Sequence, residues 1–591
     1  MALRSSHRPI PRLGKPWSAK IVSVTVVPIN WSVLNKGLPT DANSVRMGSI
    51  LNNTNRYALT TWYTAKGYAS SSQQAANYLD FGGTDETHIR PAASEALGLA
   101  VSLKTGLYNP TVTGVDLHSA ETKGAKLIRS LAYRHLVNLA GGWGNDWQTA
   151  LWAAYAGLAG WLMWDDPYLS ATDRQNIREM VEYEANRFIG YRVPYYRNAA
   201  GTIVYPGDSK AEENAWNAML LETAVNMMPN HPNVAAWNYK SQELMVSAFA
   251  RPSDVVSQRV VNGRALSHWL YGSNANNDGT VINHSIVHPD YMETISENNY
   301  AALVSSLAGR PTPEAAFFNS DVVYDALVDL NFVAGSSYPP GPPIAAPGGT
   351  IFIPGGANIY YPQGNSWGTA RRMHFALTDA QASAFGFDAL ASKNGAYWEP
   401  YHAQMVLNMQ NANADRRTYT TAAQDTYSGR EEWVAAQAAQ AYLTKWLVKQ
   451  AVYVKTTAAV PLVIDNLDRE FSVVSGSWIT STPPDRLGPN NRYAAAGDGS
   501  AKARFTPRIT GPGNYAVYAW WTAYPNHATN APYVIRDSAG AHTVLTNQET
   551  NGGQWNLLGT YSFAAGANGY VELNNAANQY VVADAVMFVS Q

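Results

Sequence analysis

The chain has 591 residues, too many for one hydrophobic core, and its length predicts two or three domains. Apolar residues make up 46% of it and the net charge is −2 without a long block of like charge, which argues against global disorder and against a basic DNA-binding surface. The absence of cysteine excludes thiol catalysis, thiolate metal sites and disulfides.

Residues 1–55 are predicted to form an N-terminal extension. Within it, "KIVSVTVVPI" (Lys20 to Ile29) follows several basic residues, as the apolar part of a secretion signal does, but it contains Ser, Thr and Pro and lacks a small-residue cleavage site. Whether this end is a processed signal stays open. No stretch of the chain reaches the roughly 18 apolar residues of a membrane span, so we expect no membrane insertion.

Residues 56–455 are predicted to form a helical domain. From about Arg56 to Gln450, apolar residues recur at a spacing of three to four in about ten segments, which are separated by polar loops containing Gly and Pro. The run "SATD", Ser170 to Asp173, is typical of a capping box at a helix start. Because no strands alternate with these helices, the pattern favours an α/α toroid, an incomplete barrel of helical hairpins with a groove at one end.

One segment of this domain breaks the helical pattern. "NFVAGSSYPPGPPIAAPGGTIFIPGGANIYYPQGNSWGTA", residues 331–370, contains no Asp, Glu, Lys, Arg or His and ends directly before Arg371 and Arg372. A long uncharged Pro/Gly segment inside a helical domain is typical of a lid or of a packed connector. Both interpretations stay open.

Residues 460–591 are predicted to form an antiparallel β-sandwich. The apolar period becomes two after about Val460, in short segments such as "NYAVYAWWTAY", "APYVIRD", "NLLGTYSF" and "YVVADAVMFV", which Gly, Asn and Pro turns separate. These segments resemble the C-terminal module shared by golvesin and xanthan-lyase-like proteins. The resemblance implies an accessory domain of a secreted, often carbohydrate-active protein, and therefore an extracellular location.

A second resemblance concerns the helical domain. "DGTVINH", Asp278 to His284, resembles a run of the hyaluronate, chondroitin and xanthan lyase family, whose catalytic domain is an α/α toroid. The resemblance implies that His284 is catalytic together with a following tyrosine, Tyr291. His288 lies between the two, so the choice between the histidines stays open. The large middle β domain of the classical members is missing, which makes the chain a relative in a different family.

Three other segments of the sequence fit the same resemblance. In the family an asparagine and an arginine touch the uronate carboxylate, and the resemblance implies Asn214 or Asn217 for the first role and Arg371 or Arg372 for the second. "GGWGNDWQTALW" (Gly141 to Trp152) resembles the family's aromatic patch, where rings stack on sugars. The resulting set of candidate substrate-binding residues is Trp143, Trp147, Gln148, Asn217, Asn283, Trp367 and Arg90.

The chemistry of elimination explains why such a site is rich in Asn, His, Tyr and Arg. A lyase removes the weakly acidic C5 proton of a uronate, and neutral or cationic donors must stabilise the charge that develops on its carboxylate. A tyrosine or a histidine takes the proton, and the tyrosine returns a proton to the leaving oxygen. Additional carboxylates would repel the anionic sugar, whereas a glycoside hydrolase requires a pair of them.

Each candidate residue also has a structural interpretation. The histidines could be loop residues, Asn214 a polar residue at a helix start, the tryptophans core residues and the two arginines surface charges. "HSIVH" could also hold a metal if it were helical, but Pro289 makes a regular helix there unexpected. We therefore expect neither a metal nor a cofactor.

The leading hypothesis is a secreted, monomeric lyase of an anionic, uronate-containing polysaccharide, without a nucleic-acid partner. The second is a toroid glycoside hydrolase, and the third is a glycan-binding surface protein without catalytic activity. The sequence does not distinguish among uronate polymers or between endo and exo action. The carboxylates available to a hydrolase are Asp85, Glu86, Asp165, Asp166, Glu212 and Glu213.

Overall fold

The structure, a computed structural model, describes residues 24–591 apart from 258, 390, 422, 426–429, 455–461, 469, 488–489, 508 and 510. A helical domain precedes an antiparallel β domain, which confirms the predicted fold class. The start of the "KIVSVTVVPI" segment, residues 20–23, lies outside the described residues, as does the predicted junction at 455–460. The last long helix ends at Gln450 and the first strand of the β domain begins at Leu462.

The helical domain has twelve helices of nine or more residues in the described part of the chain. In chain order they are α1 (Ala42–Arg56), α2 (Ile89–Lys104), α3 (Leu117–Tyr133), α4 (Thr149–Leu162), α5 (Ala171–Asn186), α6 (Ala211–Met227), α7 (Val234–Ala248), α8 (Ile295–Leu307), α9 (Ser320–Val328), α10 (Met373–Phe385), α11 (Gly395–Ala412) and α12 (Arg430–Gln450). Shorter elements in the connections are Trp31–Val33, Tyr57–Trp62, Tyr63–Ala65, Ser71–Ala75, Pro110–Thr113, Leu266–Trp269, Pro289–Met292 and Glu314–Phe317, with two-residue strands at Arg197–Asn198, Val260–Val261, Arg264–Ala265 and Gly272–Ser273.

The even-numbered helices form a closed inner ring. Helix α2 packs on α4, α4 on α6, α6 on α8, α8 on both α10 and α12, α10 on α12, and α12 again on α2. Most odd-numbered helices pack against this ring from outside, for example α3 on α2 and α4, and α7 on α6. Every residue of α4 is buried, as expected for a helix that has neighbours on all sides. These contacts close the ring, and the predicted α/α toroid is confirmed.

Helix α1 corrects the predicted N-terminal extension. It begins at Ala42, inside the segment 1–55, and packs on α11 and α12 as the first outer helix of the toroid. The segment lacked a strong amphipathic signal because its buried face includes asparagines such as Asn53 and Asn55, which bond to Gln410 and Ser102. The helix start predicted at Ser170 is confirmed, because the Ser170 and Asp173 side chains cap each other's backbone.

The uncharged segment 331–370 packs on the toroid and also borders the candidate site. Phe332, Ile351 and Phe352 are buried in the toroid core. The Gln363 amide accepts a hydrogen bond from Val287 N at 2.7 Å and donates to the carbonyls of Tyr338 and Pro342. The segment is thus a packed connector whose end lies beside the histidine-containing loop.

The β domain contains twelve antiparallel strands among its described residues. Numbered after β1 (Ile282–Asn283) and β2 (Ile286–Val287) of the helical domain, they are β3 (Leu462–Asp465), β4 (Phe471–Ser475), β5 (Ile479–Ser481), β6 (Asn491–Ala494), β7 (Lys502–Phe505), β8 (Gly513–Trp520), β9 (Ala531–Arg536), β10 (Ala541–Thr546), β11 (Asn556–Phe563), β12 (Tyr570–Asn574), β13 (Val581–Ala583) and β14 (Ala585–Ser590). They form sheets of order β10-β9-β12-β7-β4, β11-β8-β14-β3 and β13-β6-β5.

The sandwich has its own core and also packs on the toroid. Ala503, Val571 and Phe588 belong to the core between the sheets. Leu487 and Trp520, by contrast, belong to the apolar cluster of the helical domain. The two domains therefore share a continuous apolar contact.

Candidate active site

A cavity of about 250 Å³ lies on the axis of the toroid. All six inner helices contribute to it, most of them from their first turns. Examples are Arg90 from α2, Tyr155 from α4, Glu212 from α6, Ser296 from α8, His374 from α10 and Trp433 from α12. Since helix N-termini carry partial positive charge and unpaired N–H groups, this end of the ring is suited to an anionic ligand.

A tight hairpin places His284 at this cavity. Strands β1 and β2 pair in the register Ile282↔Val287, and the loop between them consists of His284 and Ser285. Both loop residues have positive φ, 49° and 65°, which matches a two-residue turn of the primed type. The hairpin exposes the imidazole, and the expectation that this run is not a regular helix is confirmed.

Four side chains form a hydrogen-bonded row at the cavity. The Tyr291 hydroxyl lies 3.2 Å from His284 Nε2. The Ser366 hydroxyl lies 2.7 Å from His284 Nδ1 and 2.9 Å from His288 Nε2. His288 is fully buried, whereas His284 and Tyr291 line the cavity, so the two histidines occupy different positions in the row.

The cations of the cavity are held by acidic and amide side chains. Arg371 Nη1 lies 3.4 Å from Asp290 Oδ1 and its Nε lies 3.5 Å from Asp425 Oδ2. Burial acts to lower the pKa of Arg371, but the two carboxylates outweigh it and the pKa is raised, so the guanidinium stays charged. Arg90 donates a hydrogen bond to Gln148 Oε1 at 3.1 Å and lies 3.8 Å from Glu86.

Carboxyl groups are more frequent here than the sequence led us to expect. Glu86, Glu212, Asp290 and Glu297 all line the cavity. Burial raises the pKa of Glu212 well above its usual range, and the nearby Glu297 raises it further. Burial likewise raises the pKa of Glu297. The neutral form of both side chains is thereby favoured, which limits the repulsion that they would exert on an anionic sugar.

Four tryptophans line the same cavity. Trp147 is 47% exposed and its ring lies 5.4 Å from that of Trp216. Trp367 lies 5.1 Å from the His284 ring, and the Arg90 guanidinium lies 4.5 Å from the ring of Trp433. Such walls combine flat apolar faces with hydrogen-bonding edges, which is the mixture that sugar rings require.

The structure brings several predicted residues to the cavity: Tyr291, His284, Arg371, Trp147, Gln148, Trp367 and Arg90. Asn214 is not among them, which corrects its prediction as a carboxylate ligand. It is fully buried, and its amide donates to Pro194 O and to Ser247 Oγ, both at 3.0 Å. Its place in the first turn of α6 is correct, but the helix turns its side chain away from the axis.

Four further predictions of substrate contact are corrected. Trp143 is a core residue whose indole donates to Leu131 O. Arg372 is buried and donates to the carbonyls of Ala357 and Arg371. Asn217 is 3% exposed and does not line the cavity. Asn283 accepts a hydrogen bond from the His284 backbone N–H at 2.7 Å, so it supports the turn.

Most carboxylates considered for a hydrolase lie elsewhere. Of the six, only Glu86 and Glu212 line the cavity. Glu213 is paired with Lys210 at 3.0 Å, and Asp85 bonds to Thr87 and His88 in its own loop. No group of three or more His, Asp or Glu side chains within the described ranges could hold a metal ion.

Sequence reasoning missed Ser366, His374, Glu297, Gln437 and Gln440. Ser366 is 82 residues from His284 in the chain, and nothing local marks it. His374 lies 2.8 Å from Ser296 Oγ, so it too depends on a contact between distant segments. The spacing of Trp433, Gln437 and Gln440 is the one detectable signal, because it places three sugar-compatible side chains on one helix face.

The comparisons with known proteins each cover less than a quarter of the chain. Residues 462–590 match the model of the Golvesin C-terminal domain. A stretch of 135 residues is 36% identical to a xanthan lyase of Bacillus sp. (strain GL1), covering 22% of this chain and 14% of that one. The structure of a Paenibacillus xanthan lyase shows 39% identity over 23% of this chain and 14% of its own, with a TM-score of 0.22.

A β-(1,4)-mannanase from Podospora anserina shows 14% identity over 22% of this chain and 28% of its own, with a TM-score of 0.17. The chain thus spans only about one seventh of the length of the xanthan lyases it matches. No helix in the described ranges is long and apolar enough to cross a membrane. The predicted golvesin-type module is confirmed, and the chain carries a Golvesin C-terminal domain behind its helical toroid.

Proposed function

We propose that the chain is a polysaccharide lyase that cleaves a uronate-containing anionic polysaccharide by β-elimination in the axial cavity. The observation that carries the proposal is the Tyr291–His284 pair, joined at 3.2 Å at the wall of a cavity lined by tryptophans and cations. The partial similarity to xanthan lyases supports the reaction class. It does not name the polymer, because it covers 22% of this chain.

In the proposed reaction, Tyr291 and His284 move the protons. Tyr291 gives its hydroxyl proton to His284 Nε2, and the tyrosinate takes the C5 proton of the uronate. The C4–C5 double bond forms as the C4–O bond breaks, and the leaving oxygen takes the proton that Tyr291 has just acquired. The Tyr291–His284 pair then serves both the abstraction of the C5 proton and the protonation of the leaving oxygen.

Ser366 would set the tautomer that this role requires. A serine hydroxyl has one hydrogen, so it donates to one histidine and accepts from the other. If it donates to His288 Nε2 and accepts from His284 Nδ1–H, then His284 Nε2 is the atom that accepts from Tyr291. His284 is thus the residue that would deprotonate Tyr291, Tyr291 the base toward C5, and His288 the residue that orients Ser366.

The uronate carboxylate would be neutralised by donors at the inner helix N-termini. Arg90, Gln148, Arg371 and His374 line the cavity, and they take the role that Asn214 cannot fill. Glu212 and Glu297 support the same proposal in their neutral form, since protonated carboxyls donate hydrogen bonds to a developing negative charge. The substrate rings would stack on Trp147 and Trp367.

We further propose that the protein is secreted and acts as a monomer on an extracellular polymer. The Golvesin C-terminal domain supports this location, because the resemblance associates the module with secreted proteins. No described residue of the sandwich lines the axial cavity, so the module would assist rather than catalyse.

A second candidate function is glycoside hydrolysis in the same cavity. The observation in its favour is that Glu212 and Glu297 both line the cavity, and a hydrolase requires two carboxyl groups. We place hydrolysis second because it requires one of the two carboxyl groups to be ionised, whereas the pKa of each is raised.

One assay separates these functions. The protein is incubated with xanthan, hyaluronan, chondroitin, glucuronan, gellan and alginate, and both ultraviolet absorbance and new reducing ends are followed. Elimination produces an absorbing 4,5-unsaturated uronate together with each new end. New ends without absorbance would establish a hydrolase, and binding without new ends would establish a glycan-binding protein.

A further inference from the structure

A second cavity, of about 350 Å³, lies between the toroid and the sandwich. The toroid side is rich in tyrosine, and the sandwich contributes Asp465 and Leu487. None of the described residues that line it also lines the axial cavity. Its volume is at the lower end of the ~300–1,000 Å³ typical of small-molecule sites. The tyrosines are Tyr191, Tyr195, Tyr205, Tyr239 and Tyr271.

The two walls of this cavity are fixed to each other by a buried ion pair. The Arg264 guanidinium from the toroid donates to both carboxylate oxygens of Asp468, at 3.1 and 2.9 Å, and also to the carbonyl of Val463. Both Arg264 and Asp468 are 8% exposed. The domain junction that contains the cavity is therefore held by a buried ion pair as well as by apolar contact.

Asp465 of the sandwich lines this cavity and carries an unsatisfied polar atom. Asp465 is 6% exposed, and its Oδ1 accepts a hydrogen bond from Leu467 N at 3.0 Å. Its Oδ2 is buried and has no hydrogen-bond partner among the described residues. A buried polar atom without a partner costs about 1–3 kcal/mol. A ligand hydroxyl is the group that would remove this cost.

The mouth of the cavity is apolar and exposed. Val204, Tyr205 and Tyr271 are 49%, 38% and 40% exposed, although each has a large apolar surface. Deeper in the cavity, Tyr195 and Tyr239 are buried. An exposed apolar rim around a cavity with few polar groups is typical of a binding site.

The lining carries charged groups of both signs. The cations are Arg192 and Lys240, and the acids are Glu243 and Asp465. Lys240 and Glu243 are joined by a short ion pair across one helical turn of α7. Burial raises the pKa of Asp465 well above its usual range, which favours its neutral form. The lining therefore lacks the concentration of cationic donors that the axial cavity offers to an anion.

We propose that this junction cavity binds a neutral sugar residue. A sugar ring has C–H faces that stack on tyrosines and hydroxyl edges that bond to Asp465 Oδ2 and to tyrosine hydroxyls. The site is non-catalytic and is independent of the proposed elimination. It gives the chain a second glycan-binding site, which residues of both domains line.

The test uses the full chain and neutral probes, namely cellobiose, maltose and lactose. Binding is measured by saturation-transfer NMR and by calorimetry. We expect at least one probe to bind, Tyr205→Ala to weaken that binding about tenfold or more, and Asp465→Asn to weaken it severalfold. Tyr524→Ala removes a similarly exposed tyrosine of the sandwich outside this cavity and should leave affinity unchanged.

The axial variants Tyr291→Phe and Trp147→Ala should bind the neutral probe as the unmodified protein does. Loss of binding in Trp147→Ala with retention in Tyr205→Ala would place the sugar in the axial cavity and overturn the proposal. Failure of all three saccharides to bind would overturn it as well. A melting temperature for each variant separates loss of the site from loss of the fold.

Discussion

At the scale of single residues, the four side chains of the hydrogen-bonded row lie in different environments. The row runs in the order Tyr291, His284, Ser366 and His288. His284 is exposed at the turn, whereas His288 is fully buried. His288 Nδ1 lies 3.9 Å from Asp290 Oδ2, which in turn faces Arg371. Only the exposed end of the row reaches the space that a substrate would occupy, so the proton transfers are expected there.

The first prediction concerns Tyr291→Phe. The change removes one oxygen and keeps the ring, so folding and substrate affinity should persist while turnover falls by the ~10²–10⁴-fold typical of a lost acid–base group. Turnover is measured on the polymer identified by the absorbance assay, and Tyr401→Phe on α11 serves as the control. Near-normal turnover in Tyr291→Phe would show that the base is another residue.

The second prediction concerns Ser366. Ser366→Ala removes the hydroxyl that both histidines share, so turnover should fall about two- to tenfold, the equivalent of one hydrogen bond of about 0.5–1.5 kcal/mol. KM should stay unchanged, because Ser366 orients His284 and does not line the cavity. Ser366→Thr keeps the hydroxyl and should restore most of the turnover. Equal losses in both variants would contradict the orienting role.

At the scale of elements, the β1–β2 hairpin is positioned by a close backbone approach. Ser285 N donates to Gly207 O at 2.9 Å. A Cβ at Gly207 would lie 2.1 Å from Ser285 Oγ and 3.1 Å from its Cα. The loop before α6 therefore fixes where the His284 turn can sit relative to Tyr291.

The third prediction compares two glycines. Gly207→Ala and Gly201→Ala carry similar backbone strain, with φ of +74° and +81°, but a Cβ at Gly201 meets nothing within 4 Å. Gly207→Ala should displace the hairpin and lower turnover about tenfold or more, because small misplacements of catalytic groups are costly. Gly201→Ala should lose only the stability that the shared backbone strain costs and keep its turnover. Matched turnover in the two variants would contradict this account.

The fourth prediction concerns Glu222 on α6. Burial raises its pKa from 4.5 to about 7, against the opposing effects of Ser241 and Arg310. Below pH 4.5 the carboxyl is protonated in both the folded and the unfolded chain; between pH 4.5 and 7 the unfolded chain ionises first, so the free energy of unfolding falls as pH rises.

Glu222→Gln removes this loss, on the order of 3 kcal/mol. Its melting temperature should therefore exceed that of the unmodified protein at pH 8 and equal it near pH 4. Glu121→Gln, at a half-buried position of α3, is the control and should show no such difference between the two pH values. A lower melting temperature of Glu222→Gln at pH 8 would show that the ionised carboxylate is stabilising.

At the scale of the whole molecule, the closed ring gathers six helix starts around one axis and the sandwich packs beside it. The ion pair Arg264–Asp468 and the apolar residues Leu487 and Trp520 join the domains. The two domains are therefore expected to unfold together.

The fifth prediction tests this coupling with Arg264→Met. The variant leaves Asp468 buried without its cation, which costs about 3–5 kcal/mol. Calorimetry should show a lower melting temperature and separate transitions for the sandwich and the toroid. Arg264→Met/Asp468→Asn should recover part of the loss, because the remaining amide oxygen can still accept from Asp465 N. An unchanged transition in the single variant would show that the apolar contact alone couples the domains.

The sequence by itself determined the features that depend on neighbouring residues. The capping box at Ser170, the absence of a regular helix before Pro289 and the change of period from helix to strand are local, because each is set by residues within one or two turns of chain. The C-terminal module was identified for the same reason, since its motifs occupy one continuous segment, 462–590.

Tertiary structure alone decided which side chains meet. Ser366 reaches His284 across 82 residues, and Asn214 points into the core although it lies in the same first turn of α6 as Glu212. A helix start predicts where a residue lies along the chain but not which face turns to the axis when α6 has neighbours on every side. Three features arise only from packing: the closure of the ring, the raised pKa of Glu212 and the cavity at the domain junction. Each depends on burial and on the distance between remote segments of the chain.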